Sequence, residues 1–277
     1  MQQEQKKTAL VLSGGGARGA YQVGTLKAIA HIQPDGGANP FGIICGTSAG
    51  AINASLLACE SDHYGHAINR LEALWQNLQS DRIHKVGYSQ LLKSTLRLFS
   101  SFFREGISSG APAALLDNEP LRELLSTEID FDKLDEHINN GRLHALCITA
   151  LAYSSGQNIS FYQGDRGIKG WRRNQRLGVG TRLTHDHLMA SSALPTIFPP
   201  VKIHQEYFGD GAIRQSAPLS AALHLGAEKL FVVGVSYNKK DHAESREPVT
   251  HKPSFAQIAG HLLNSSFIDA MDEDLEM

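Results

Sequence analysis

Four glycines within six residues separate an apolar run from a helical pattern near the start of the chain. They are Gly14, Gly15, Gly16 and Gly19. The apolar run, residues 8–13, is typical of a buried strand, and the helical pattern extends from Ala20 to His31. A glycine-rich turn between a strand and a helix exposes backbone N–H groups to a negatively charged partner. That partner is either a nucleotide phosphate or the oxyanion of an acyl-transfer reaction, and this turn alone does not decide between them.

Strand candidates alternate with helical patterns along most of the chain. The further strand candidates are residues 41–45, 143–153, 159–162 and 229–235, and the further helical patterns are residues 50–60, 63–79 and 216–227. This alternation predicts an α/β fold with a mostly parallel sheet. The chain has 277 residues, of which 42% are hydrophobic, so it is long enough to bury a sizeable core.

Charge and composition narrow the classes of function. The net charge of -2 gives no electrostatic basis for binding nucleic acid. The three cysteines lack the spacing of metal ligands and are interpreted as buried thiols in a reducing compartment; they are Cys45, Cys59 and Cys147. The polar N-terminus does not resemble a signal peptide, and no apolar run reaches the roughly 18 residues of a membrane span. We therefore expect a cytoplasmic protein whose contact with membranes is at most peripheral.

A second glycine-rich stretch directly follows the strand candidate at residues 41–45. It contains the pattern G-x-S-x-G, with Ser48 between Gly46 and Gly50. In a nucleophile elbow, the serine lies on a strained turn between a strand and a helix, so the residues two before and two after it must be very small. The pattern therefore predicts that Ser48 is a nucleophile. The alternative is a chance match in which Ser48 only caps the following helix.

A serine nucleophile also needs hydrogen-bond donors for the oxyanion, and the first glycine-rich turn can supply them. We expect the backbone N–H groups of Gly15 and Gly16 to face the oxyanion, because residues without Cβ let a substrate approach closely. Each such donor contributes roughly 2.7–4 kcal/mol to transition-state stabilisation. Arg18 is interpreted either as a support of this loop or as an exposed arginine.

Nucleotide binding is the competing interpretation of the same glycines. The spacing of Gly14, Gly16 and Gly19 matches the dinucleotide fingerprint G-x-G-x-x-G. No acidic residue ends the second strand candidate, where the ribose would be recognised. A P-loop is excluded because no Gly-Lys-Ser/Thr follows the glycines.

One carboxylate stands apart as a candidate base. Asp210 ends the aromatic run EYFGD and lies between Gly209 and Gly211, so it can approach another loop closely. The alternative is an ordinary Asp-Gly turn. Most histidines lie in polar segments, but a late one, His251 or His261, is the base in the alternative of a Ser–His–Asp hydrolase.

Taken together, these motifs resemble the patatin-like phospholipase family, and the resemblance extends from about Ala9 to Val235. Its carriers, in order, are Gly14-Gly15-Gly16-Ala17-Arg18-Gly19, Gly46-Thr47-Ser48-Ala49-Gly50, the segment ASSALPTIFPPV at residues 190–201, and Asp210-Gly211-Ala212. Gln215-Ser216-Ala217-Pro218 departs from the family, which often has an asparagine before this proline.

The resemblance implies a three-layer α/β/α sandwich with a mostly parallel central sheet. It also implies a dyad in which Ser48 attacks a lipid ester and Asp210 is the general base, with Gly15 and Gly16 binding the oxyanion and no metal or cofactor. We interpret residues 1–277 as a single patatin-like catalytic domain with its core at about 8–236. Residues 237–277 are a polar linker and a C-terminal helix that end the protein or continue into a longer one. The sequence does not predict the oligomeric state.

Two segments bear on contact with lipid. Residues 88–106 carry apolar side chains at helical spacing with basic residues mostly off that stripe, which suits either a membrane surface or a helix packed on the core. A basic cluster, Lys169, Arg172, Arg173 and Arg176, is interpreted as a solvated face or a head-group site. A non-catalytic module that binds lipid or nucleotide stays open as a further alternative.

Overall fold

The computed structural model describes residues 7–33, 37–78, 117–173, 175–195, 197–214 and 218–235. The amphipathic segment at 88–106 and the C-terminal segment at 237–277 lie outside these ranges, as do the two late histidines. Among the described residues, no helix combines the length and apolar character needed to cross a membrane.

The described residues form one sheet of nine strands with helices on both faces. The strands are β1 (Thr8–Leu12), β2 (Ile43–Thr47), β3 (Ala145–Ala152), β4 (Asn158–Gly164), β5 (Trp171–Arg173), β6 (Arg176–Gly180), β7 (Val201–Ile203), β8 (Glu206–Asp210) and β9 (Lys229–Val233). The helices are α1 (Gly19–Ile32), α2 (Ala49–Cys59), α3 (Tyr64–Asn77), α4 (Glu119–Glu128), α5 (Lys133–Asn139), α6 (His185–Ser191) and α7 (Leu219–His224). Short 3-10 helices follow β1 and β8 at Gly16–Arg18 and Gly211–Ile213.

Four neighbouring strands of the sheet are parallel, in line with the predicted mostly parallel sheet. Strands β9, β1, β2 and β3 lie side by side in that order and all run in the same direction. Antiparallel pairs occur beyond these four strands: β4 and β8 each pair with β3, β5 pairs with β6, and β7 pairs with β8. Parallel strands buried on both faces are expected to be nearly continuously apolar, and the apolar runs of β1 and β3 show this pattern.

Alternate residues of the central strands pack into two separate cores. Leu10 and Leu12 face the layer formed by α1, α2 and α3, whereas Ala9 and Val11 face the layer that contains α7. The three-layer α/β/α arrangement that the resemblance implied is therefore present.

Two predicted elements differ in extent. Strand β2 extends through Gly46 and Thr47, beyond the apolar run at 41–45, because pairing with β3 holds these residues in the sheet. Helix α7 is shorter than the predicted range of 216–227. Pro218 is its N-cap and Gly226 has φ 96, a left-handed conformation that stops the helix.

The topology brings the ends of two strands together beside β3. Thr47 at the end of β2 pairs with Thr149, and Asp210 at the end of β8 pairs with the next residue of β3, Ala150. Strand β2 runs parallel to β3 and β8 runs antiparallel to it, so β2 and β8 meet end to end. Whatever follows Thr47 therefore lies directly beside Asp210.

Candidate active site

Ser48 follows Thr47 and lies on a strained turn between β2 and α2. Its backbone has φ 54 and ψ −125, a conformation that costs a non-glycine residue roughly 1–3 kcal/mol. A Cβ on Gly46 would overlap the carbonyl oxygen of Gly50, and a Cβ on Gly50 would overlap that of Leu12. The sequence predicts small residues two before and two after the serine, and the close backbone contacts at these positions are the physical reason for that requirement.

A second serine holds this turn in place. The Ser48 amide donates to the hydroxyl of Ser191 at 2.9 Å, and that hydroxyl donates to the carbonyl of Thr149 at 2.7 Å. Ser191 is fully buried at the end of α6. It satisfies a backbone N–H that the turn removes from the sheet and ties the turn to β3. Ser191 belongs to the family-like segment 190–201, but nothing in that local pattern predicts what its buried hydroxyl contacts.

The Ser48 hydroxyl donates to Oδ2 of Asp210 at 2.7 Å. The other carboxylate oxygen accepts the Ala212 amide at 2.8 Å, and the Asp210 amide donates to the carbonyl of Ala193 at 2.9 Å. Ser48 is 6% exposed and Asp210 is 1% exposed. The carboxylate is thus fixed in orientation and nearly removed from water, with one oxygen on the serine.

Burial changes the proton affinity of this carboxyl. Loss of hydration raises the pKa of Asp210 from its ordinary value of 3.8 to about 7, against the opposing effect of the hydrogen bonds from Ser48 and Ala212. An aspartate with an ordinary pKa is a poor base for a hydroxyl. The environment of Asp210 removes much of that difficulty, because its proton affinity is matched to neutral pH.

The glycine-rich loop packs against Ser48 and against Ala212, two residues after Asp210. A Cβ on Gly14 would lie 2.5 Å from the Ala212 Cβ and 3.4 Å from the Ser48 Cβ, so the loop backbone is packed against the turn and against the residue that follows Gly211. Gly16 has φ 56 and faces open space, so here it is the backbone conformation that favours glycine. Within the described part of the chain, the N–H groups of Gly15 and Gly16 donate to no protein acceptor.

Gly15 is small for a different reason from the one expected. A Cβ at this position would overlap Cγ2 of Val235, so packing against the segment after β9 excludes a side chain there. Arg18 supports the same junction: its guanidinium donates to the Val235 carbonyl at 3.3 Å, and its amide donates to the Gly15 carbonyl at 3.2 Å. Gly19 begins α1, where a Cβ would lie 2.7 Å from the Trp75 ring.

The histidines of the described residues lie elsewhere or serve other contacts. His187 is buried in α6, where loss of hydration lowers its pKa to about 4, and its Nδ1 accepts the Thr184 amide at 3.2 Å. His204 is exposed in the turn between β7 and β8. His251 and His261 lie outside the described residues.

The described residues contain no group of three or more His, Cys, Asp or Glu side chains arranged to hold a metal ion. The three cysteines are free and buried, as expected. Cys45 and Cys147 face each other across β2 and β3, and burial raises the pKa of the Cys45 thiol.

The fold and the strained serine define an α/β protein with a tight serine-bearing turn between a strand and a helix, at the carboxyl edge of the parallel strands. The chain belongs to the patatin-like phospholipase family, whose sequence profile matches residues 10–223.

Two relatives are named for activities on phospholipids. The chain is 27% identical over 215 residues to a cGAMP-activated phospholipase of Pseudomonas aeruginosa, which covers 78% of this chain and 55% of the relative. It is 40% identical over 77 residues to lysophospholipase nte1 of Aspergillus terreus, which covers 26% of this chain and 5% of the relative. The chain therefore spans about half the length of the bacterial relative and a small part of the fungal one.

Among solved structures, the chain is similar to VipD from Legionella pneumophila. The match has a TM-score of 0.43 and 17% identity, and it covers 74% of this chain and 46% of VipD.

Proposed function

We propose that the protein is a lipid acyl hydrolase in which Ser48 is the nucleophile and Asp210 the general base. The observation that carries this proposal is the 2.7 Å hydrogen bond between the Ser48 hydroxyl and a buried carboxylate whose pKa is raised to about 7. Membership of the patatin-like phospholipase family and the phospholipase names of two relatives support lipid esters as the substrate class.

The reaction proceeds in two halves. Ser48 Oγ attacks the ester carbonyl carbon while its proton passes to Asp210 Oδ2, and the oxyanion that forms accepts hydrogen bonds from Gly15 and Gly16. The tetrahedral intermediate then expels the alcohol, which takes the proton from Asp210, and leaves an acyl-serine. Water attacks this ester while Asp210 accepts one of its protons, and the proton returns to Ser48 as the fatty acid is released.

The geometry favours this function over its two alternatives. The carboxylate of Asp210 occupies the position that an imidazole would take beside Ser48 in a Ser–His–Asp hydrolase. The glycine-rich loop packs against Ser48 and Ala212 through Gly14, so the loop begins beside the candidate nucleophile. That position suits an oxyanion at the serine better than a phosphate bound independently of it.

Hydrolysis of defined phospholipids tests the proposal. Purified protein is incubated with mixed micelles of phospholipids of known acyl chains, and released fatty acids are measured by mass spectrometry. We expect release by the wild type and loss of it in Ser48→Ala. The matched control is Ser55→Ala, which removes a buried hydroxyl on the same helix that has no hydrogen-bond partner and should retain activity. Fatty acid release by Ser48→Ala at the wild-type rate would overturn the proposal.

A further inference from the structure

A network of buried and half-buried hydrogen bonds lies beneath the glycine-rich loop. The indole N–H of Trp75 in α3 donates to Asn53 Oδ1 at 2.7 Å. Asn53, in α2, donates through Nδ2 to Gln22 Oε1 at 2.9 Å and to the Gly19 carbonyl at 3.0 Å. Gln22 and Asn53 are both fully buried. Three helices are therefore linked by polar groups in the middle of an otherwise apolar layer.

At its other end, this series of hydrogen bonds reaches the ends of the two strands that border the loop. Gln22 Nε2 donates to the Ser13 carbonyl at 2.8 Å and to the Val233 carbonyl at 3.3 Å. Ser13 directly follows β1, and Val233 is the last residue of β9. These ends also bind each other, since the Ser13 amide donates to Val233 at 3.3 Å and the Val235 amide donates to the Ser13 hydroxyl at 3.2 Å. One side-chain amide thus clamps both strand ends.

The strand ends that Gln22 binds, at Ser13 and Val233, lie next to the residues that contact the loop. Gly14 follows Ser13 in the chain, and Gly15 is packed against the side chain of Val235. A shift of either strand end is therefore transmitted to the backbone at Gly14 and Gly15. The direction of their N–H groups depends on where Ser13 and Val235 lie.

The orientation of each amide in the chain is fixed by the one before it. Trp75 can only donate, so Asn53 must present its oxygen to the indole and its nitrogen to Gln22. Gln22 must then present its oxygen to Asn53 and its nitrogen to the two strand carbonyls. With either amide reversed, carbonyl oxygens would face each other or two donors would meet. The indole N–H therefore determines the orientation of both side-chain amides, Asn53 and Gln22.

We propose that Trp75, Asn53 and Gln22 are positioning residues that set the glycine-rich loop in register with Ser48 for oxyanion binding. This inference rests on the proposed function, because it assigns the three side chains a role in the same reaction. None of them needs to touch the substrate. They act through Ser13 and through the segment Val233–Val235.

Two variants interrupt the hydrogen bonds between Trp75, Asn53 and Gln22 and keep most of the packing of these side chains. Trp75→Phe deletes the indole N–H and keeps an aromatic ring, and Asn53→Asp keeps the shape while replacing the donors to Gln22 and Gly19 with a carboxylate oxygen. The matched control is Tyr64→Phe, which deletes a buried hydrogen bond of 3.2 Å between Tyr64 and the Leu26 carbonyl. That bond also joins α3 to α1, but at Leu26 in the middle of α1, away from the loop.

Steady-state kinetics on a soluble ester, at a temperature where all variants are folded, separates positioning from stability. We expect kcat to fall roughly 10- to 100-fold in Trp75→Phe and Asn53→Asp, as for a misplacement of about 1 Å in a catalytic group. KM should change by no more than about twofold, because only transition-state contacts are lost. Tyr64→Phe should lower the melting temperature and keep the wild-type kcat.

Hydrogen–deuterium exchange adds a readout that does not need activity. The peptide spanning residues 10–20 should exchange faster in Trp75→Phe and Asn53→Asp than in the wild type, with no change in Tyr64→Phe. If Ser48-dependent hydrolysis is present and both variants match Tyr64→Phe in kcat and exchange, the positioning role is wrong and the proposed function stands. If the wild type shows no Ser48-dependent hydrolysis at all, the proposed function fails, and the catalytic role of the network fails with it.

Discussion

The Ser48 hydroxyl lies 2.7 Å from Oδ2 of Asp210, although 162 positions separate the two residues in the chain. Their meeting follows from one strand, β3, which pairs with the end of β2 through Thr149 and with the end of β8 through Ala150. A serine that follows β2 and an aspartate that ends β8 are therefore brought into contact. This geometry makes the protonation state of Asp210 the variable on which the account depends.

The first prediction concerns the pH dependence of hydrolysis. A general base must be deprotonated, and burial raises the pKa of Asp210 to about 7. We therefore expect kcat/KM for a soluble ester to rise with pH and to level off above a midpoint near 7.

A histidine could produce a similar midpoint, since its ordinary pKa is about 6.5. The pH profile should therefore be repeated with His204→Gln, His251→Gln and His261→Gln. We expect each variant to keep the wild-type midpoint. A midpoint near 4 in the wild type would show that burial does not control the base. If one histidine variant abolished the pH dependence of kcat/KM, an imidazole would be the general base.

The second prediction concerns stability. Because the folded-state pKa of Asp210 is higher than its ordinary 3.8, the folded protein binds more protons than the unfolded chain between about pH 4 and 7. The stability contributed by this group is complete below pH 4 and is lost as the pH rises to 7. At pH 8 the buried charge costs on the order of 4 kcal/mol relative to a carboxyl with an ordinary pKa.

Asp210→Asn removes this cost and keeps the shape of the side chain. Thermal unfolding of the wild type and Asp210→Asn should therefore be compared at pH 5 and at pH 8. We expect the melting temperature of the variant, relative to the wild type, to be higher at pH 8 than at pH 5. A difference that is the same at both pH values would contradict a raised pKa.

How far the sequence predicts this site can be seen from individual residues. The strained turn at Ser48 was predictable, because the need for Gly46 and Gly50 is local and leaves a pattern in five consecutive letters. The sequence predicts Asp210 as a strand-end carboxylate between glycines, but only the family resemblance implies its pairing with Ser48. The pairing depends on β8 lying end to end with β2, and no local pattern contains that information.

The supporting residues escaped prediction for the same reason. Ser191, Gln22 and Asn53 are polar residues within helices, and their burial and partners are set by elements far along the chain. Strands β5 and β6 also escaped, since residues 171–173 read WRR and show no apolar alternation. The parallel strands β1, β2 and β3 are predictable because burial on both faces makes them nearly continuously apolar.

The third prediction tests the role of Ser191. Ser191→Ala leaves the buried Ser48 amide without its acceptor and the Thr149 carbonyl without its donor, which costs about 1–3 kcal/mol of stability for an unsatisfied buried group. We expect a lower kcat as well, since the elbow loses its link to β3. Ser192→Ala, which removes a neighbouring buried hydroxyl without a hydrogen-bond partner, serves as the control. Equal kcat and equal melting temperature in the two variants would rule out a role for the Ser191 hydroxyl.

The fourth prediction separates two glycines of the loop. Gly14→Ala brings a methyl group within 2.5 Å of the Ala212 Cβ, whereas Gly16→Ala places one in open space at φ 56. We expect Gly16→Ala to stay folded, with a strain of roughly 1–2 kcal/mol. Alanine keeps the N–H, but relief of the strain at φ 56 turns this donor away from the oxyanion, so kcat should fall by about 10²-fold.

Gly14→Ala should be the more destabilising of the two, because the Ala212 methyl group and the elbow must move. Gly24→Ala, at an exposed position of α1 with no neighbour near its Cβ, should be harmless and serves as the control. Specific binding of NAD or ATP in calorimetry, without hydrolysis of any ester, would instead support the nucleotide interpretation of the loop.

The central claim is that Ser48 is the nucleophile and is activated by Asp210. Labelling with a fluorophosphonate, followed by intact-mass measurement and peptide mapping, tests it most directly. We predict a single adduct on Ser48 in the wild type, none in Ser48→Ala, and labelling slowed by orders of magnitude in Asp210→Asn. An adduct on another serine, or wild-type labelling of Ser48 in Asp210→Asn, would contradict the account.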